Sequence, residues 1–65
     1  MKSLKEYPGM DVTLVDTNNK IWNGHVVMYS PENDFGDGEE ESIVLKDNNS
    51  GRLIEFEKTE ILKIM

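Results

Sequence analysis

Alternation of apolar and polar residues runs through most of this chain. Met10, Val12 and Leu14 alternate with Asp11 and Thr13, the period-two pattern of a strand with one buried face. The polar stretch DTNNK, residues 16–20, is rich in side chains that tolerate turn conformations, so a hairpin is expected there. The next run, IWNGHVVMY over residues 21–29, is long for a strand and apolar on both faces. Regular alternation places Trp22, Val26 and Met28 on one face and Ile21, Val27 and Tyr29 on the other. Further on, ESIVLKD and RLIEFE flank the turn NNSG, with Ile43 and Leu45 in the first run and Ile54 and Phe56 in the second alternating against polar neighbours. KTE is then a tight connection into a closing strand, ILKIM.

Gly24 lies inside the long run, where a glycine commonly marks a bend or bulge. Five short antiparallel strands with no segment left for a second layer imply a sheet that curls on itself. The expected fold is therefore all-β: a small, strongly bent five-stranded antiparallel barrel, one domain over residues 1–65. Its expected core is Val12, Leu14, Val26, Ile43, Leu45, Ile54, Phe56, Ile61 and Ile64. At the N-terminus Ser3 and Glu6 have capping-box spacing and Pro8-Gly9 ends any helix, so one helical turn is expected at residues 4–7.

Size and composition narrow the chemistry. A domain of 65 residues buries only about 60% of its unfolded surface, and without staples such chains reach about 3–5 kcal/mol of stability. The absence of cysteine removes disulfides and thiolate metal sites, and a single histidine, His25, removes any site needing two imidazoles. The start of the chain has no apolar run of signal-peptide length, and no stretch reaches the length of a membrane span, so a cytoplasmic protein without a membrane partner is expected.

Charge is concentrated in one place. Of the 13 acidic residues, Glu32, Asp34, Asp37, Glu39, Glu40 and Glu41 fall within residues 32–41 with no base among them, leaving seven acids against seven bases elsewhere. The formal charge of −6 thus belongs to one segment, and generic affinity for a phosphate backbone is expected to be weak. The segment fails as a helix–loop–helix calcium loop: with Gly38 at position 6, Phe35 falls at position 3 and Val44 at position 12. A solvated loop that engages a basic partner is the simpler expectation. Trp22 and Tyr29 join the six carboxylates as candidate binding residues, tryptophan being enriched both in hot spots and as a core anchor. His25 and Asn23 face the same way and read as surface groups. No serine or threonine has a nucleophile setting and no apolar pocket is indicated around a carboxylate, so neither an enzyme nor a cofactor or metal site is expected.

The order of features resembles the Sm-like family of small barrels. The resemblance rests on a first strand and polar turn, Gly24 followed two residues later by Val26, the aromatic Tyr29, and EILKI at residues 60–64, and it covers roughly residues 8–65. It implies a bent five-stranded barrel with a short N-terminal helix, assembly into rings through the last two strands, and binding of uridine- or adenine-rich RNA. Barrels of the Src-homology type share the strand pattern. The RNA-contacting positions depart from the family: Ser30 stands for its aspartate, Glu32 for the stacking aromatic or histidine, Asn33 or Asp34 for its asparagine, and Lys58-Thr59 for its Arg-Gly pair. A missing stacking partner forfeits about 1–3 kcal/mol per base. The expectation is a non-enzymatic interaction or self-assembling module, acting through a strand edge or the face carrying Trp22 and Tyr29. An Sm-like RNA-binding ring is the alternative.

Overall fold

A computed structural model describes residues 3–31 and 41–65. The chain is all-β, with five strands in one antiparallel sheet: β1 (Asp11–Asp16), β2 (Ile21–Ser30), β3 (Ser42–Asp47), β4 (Leu53–Glu57) and β5 (Ile61–Ile64). The order across the sheet is β4-β3-β2-β1-β5. The first four strands form a meander, and β5 returns to pair with β1 at the far edge.

That order bends the sheet. Strands β4 and β5 occupy opposite edges, which in a flat five-stranded sheet would lie about 19 Å apart at about 4.8 Å per strand. They are joined only by the 3-10 turn Lys58–Glu60, and four residue steps span at most about 14 Å even when fully extended. The sheet must therefore curl until its two edges approach. Two bulges supply much of that curvature. Val26 pairs with Leu45 and Met28 with Val44, which makes Val27 the extra residue in β2. Val15 pairs with Lys63 and Asp16 with Ile61, which makes Leu62 the extra residue in β5.

Gly24 sits where β2 is hydrogen-bonded on both sides, opposite Val12 of β1 and Asp47 of β3. A Cβ placed there would run into the backbone carbonyl of Lys46 and lie 3.0 Å from Leu45 Cγ. The glycine is thus required by the close approach of β3 at the bend.

The curl encloses Val12, Leu14, Val26, Ile43, Leu45, Phe56, Ile61 and Ile64, as the alternation predicts; Ile54 is half-buried and packs against them. Leu4 and Tyr7 join them from the N-terminal 3-10 turn Leu4–Glu6, with Leu4 only 1% exposed. Glu6 Oε2 accepts a hydrogen bond of 3.1 Å from the Ser3 N–H, half of the capping box read from the sequence. The turn is accordingly part of the core.

The expected closure into a barrel is not found. Neighbouring strands are all antiparallel, so β4 and β5 run in the same sense across the sheet, and a ladder between them would have to be parallel. Parallel pairing needs a crossover of about a dozen residues, which a three-residue link does not provide. The sheet stays open along β4 and β5.

Gly24→Val should destabilise the fold by about 3 kcal/mol or more, because the obstructing group is backbone and cannot rotate away. Leu4→Ala should cost about 2–4 kcal/mol, a loss that a frayed terminus would not show. Urea melts of both variants against the parent measure the two effects.

Candidate interaction surface

Trp22 is an anchor and not an exposed contact. It faces inward from β2, half-buried, with its ring edge-on to Phe56 at 5.5 Å between centroids and 66° between planes. Its Nε1 donates to Asp16 Oδ2 at 3.0 Å, and Lys20 Nζ lies 4.1 Å from the ring centroid. Asp16 Oδ1 meanwhile accepts from the backbone N–H groups of Asn18 at 2.8 Å and Lys20 at 3.0 Å. Asn19 takes the left-handed conformation that completes the hairpin, at φ 64°. The DTNNK turn thus builds a lid of one carboxylate and one ammonium over the tryptophan. Hydrogen bonding from Trp22, then from the Lys20 backbone, holds the Asp16 carboxyl below its ordinary range.

Tyr29 lies at the other end of β2. It is opposite Ile43, half-buried against the core, and its hydroxyl donates to Glu41 Oε2 at 2.8 Å. Regular alternation would have put Tyr29 on the face opposite Trp22 and Met28 on the same face as Trp22. The bulge at Val27 resets the phase, so Tyr29 also turns inward and Met28 outward. The two aromatics are seven residues apart on one strand and share no exposed face.

Of the acidic candidates, Glu41 is described, and its side chain is only 18% exposed. Besides the Tyr29 contact, it lies 3.8 Å from Lys58 Nζ, and its backbone carbonyl accepts from the Lys58 N–H at 2.8 Å. Glu41 is therefore a brace between the start of β3 and the turn after β4. Glu32, Asp34, Asp37, Glu39 and Glu40 lie outside the described residues.

Two polar pairs lie on the outer face of β1 and β2, which also exposes Ile21 and Met28. Thr13 Oγ1 donates to Asn23 Oδ1 at 2.7 Å, and His25 Nδ1 lies 2.9 Å from Asp11 Oδ1. Asn23 and His25 are on the outside, as the alternation predicts. The β3–β4 turn is held by Asp47 Oδ2, which accepts from the Ser50 hydroxyl at 2.8 Å and its N–H at 3.1 Å; the Ser50 hydroxyl is the main cause holding the Asp47 carboxyl low. Among the described residues no group of three or more histidines, aspartates or glutamates is placed to hold a metal ion. No helix among them is long and apolar enough to cross a membrane.

The surface that sequence reading only outlined is the pair of open edges. Along β4 the rungs to β3 fall on alternate residues: Arg52 O accepts from Asp47 N, and Lys58 N donates to Glu41 O. The N–H and C=O groups of the intervening Leu53, Glu55 and Glu57 hence point away from the sheet. Glu57 N–H is met by Glu60 Oε1 at 3.0 Å, which leaves Leu53 and Glu55 as the open rungs of this edge among the described residues. On β5, Met65 and Thr13 exchange both backbone hydrogen bonds, so Ile64 turns its N–H and C=O outward. Each edge carries an exposed leucine, Leu53 at 64% and Leu62 at 61%. The second follows from the bulge, and no local sequence pattern marks it. The chain matches no family model, no curated protein and no solved structure.

Because the Asp16 carboxyl is held low in the folded state, it contributes stability above its unfolded value near 3.8 and loses that contribution as pH falls through the lowered folded value. Asp16→Asn should therefore lower the thermal midpoint at neutral pH, with the gap to the parent narrowing below about pH 4. Calorimetric melts from neutral pH to pH 2 measure the convergence.

Proposed function

We propose that this protein is a non-enzymatic interaction module that joins proteins, another copy or a different chain, through the open edges of its sheet. The observation that carries this reading is the pair of unpaired edges, each with outward backbone groups and an exposed leucine, among the described residues. An open edge is a template for another strand. The turn Lys58–Glu60 holds both templates on one small body. The candidate side chains serve this reading indirectly: Trp22 and Tyr29 fasten the ends of β2, and Glu41 ties β3 to the turn between the edges.

RNA binding is the competing reading, and the setting of Glu41 weighs against it. Its carboxylate takes the Tyr29 hydroxyl and lies beside the Lys58 ammonium, the two groups there that would otherwise meet a phosphate. The chain's net charge of −6 works in the same direction.

Mobility shift with short uridine and adenine oligomers, run beside sedimentation velocity over a concentration series, separates the readings. No shift is expected with either oligomer. Any self-association should weaken in Leu62→Lys, which sets a charge on the β5 edge without touching the core. Salt-sensitive oligomer binding in the low micromolar range would overturn the proposal.

A further inference from the structure

The two open edges differ in chemistry. The residues whose backbone groups face outward from β4 are Leu53, Glu55 and Glu57, and their side chains stand on the outer face of the sheet, opposite Lys46, Val44 and Ser42 of β3. Ser42 Oγ donates to Glu55 Oε2 at 3.0 Å and holds that carboxylate against the outer face. Glu60 follows in the adjoining turn. Of the described bases near this row, Lys58 already lies near Glu41, and Lys46 stands opposite Leu53, at the end of the row away from Glu57. A strand added here would meet carboxylates on its outer face at successive alternate positions, then leucine.

A second copy fits this edge poorly. Two β4 strands paired about their centres set Glu55 against its own copy, and like charges directly opposite are unfavourable. Strand β5 fails for a different reason. Directly opposite residues in an antiparallel ladder place their side chains on one face. The outward backbone of β5 belongs to Ile64, whose side chain is buried, whereas that of β4 belongs to residues with outer-face side chains. Joining the two strands would align Glu55 with an apolar residue and turn Lys63, the base of β5, to the opposite face. A net charge of −6 on each copy also opposes their approach.

We propose, resting on the interaction-module reading, that the β4 edge takes up an extended basic segment of another protein. The segment lies antiparallel to β4, with a lysine or arginine opposite Glu57, another opposite Glu55, and an apolar residue opposite Leu53. Backbone pairing at Leu53 and Glu55 supplies the affinity, and the carboxylates select the partner. Glu60 limits the edge, because its carboxylate occupies the Glu57 N–H that would make the next rung.

The test uses the whole chain, isotope-labelled, titrated with a synthetic peptide containing Lys-Val-Lys-Val-Leu and, separately, with the same peptide carrying glutamate for each lysine. The lysine peptide should shift the amides of Leu53 and Glu55 and slow their hydrogen exchange, and the glutamate peptide should not. Glu55→Lys should weaken binding about tenfold. Glu55→Pro should abolish it while keeping the parent's circular dichroism, since the N–H removed faces outward. Glu60→Ala should strengthen it by freeing the third rung. Equal binding of both peptides, shifts centred on Val27 and Met28 or on β5, or no binding at all would overturn the proposal. Protection of the Leu53 and Glu55 amides on raising protein concentration alone would show that a second copy holds the edge, overturning the basic-partner assignment while leaving the interaction-module reading in place.

Discussion

The link of three residues between β4 and β5 is the constraint on which the rest of this structure depends. It joins the two outermost strands of the sheet, so the sheet can exist only if it curls. From that follow the bulges at Val27 and Leu62 and the bend of β2 at Gly24, where β3 comes too close for any side chain. The curl turns one sheet face into an interior, the only way a chain of 65 residues with a single layer can enclose a core.

The same link leaves the sheet unfinished. Its shortness forces the edges together, and its shortness also prevents them from pairing in the parallel sense that four successive antiparallel pairings impose. Openness is thus a consequence of topology. The chain manages the exposed edges locally: Glu60 caps one backbone donor of β4, Glu55 and Glu57 put charge beside the rungs that stay open, and the bulge at Leu62 disrupts the regularity of β5. Such devices oppose indiscriminate edge-to-edge pairing.

Polar side chains at the two ends of the sheet do structural work. At one end Asp16 gathers the Trp22 indole and two backbone donors of the hairpin, with Lys20 over the ring. At the other, Glu41 joins Tyr29 to the turn after β4. Of the residues whose types hint at binding, Trp22, Tyr29 and Glu41 therefore sit in places that hold the curled sheet together. The backbone groups that stay unpaired among the described residues are instead those along β4 and β5, which no residue type advertises.

Local pattern in the sequence determined the five strands, the turns from β1 to β2 and from β3 to β4, the burial of Val12, Leu14, Val26, Ile43, Leu45 and Phe56, and the outward placement of Asn23 and His25. These depend on alternation, turn chemistry and apolar content, all of which are local. The capping box likewise announced the N-terminal turn, though not that Leu4 and Tyr7 would enter the core. Only the tertiary structure decided that Tyr29 turns inward, that Leu62 stands exposed, that Asp16 serves Trp22 and that the sheet stays open. The last depends on strand order and the short link, and the others on which residue of one strand faces which residue of another, where a single extra residue in a ladder reverses the faces of all that follow.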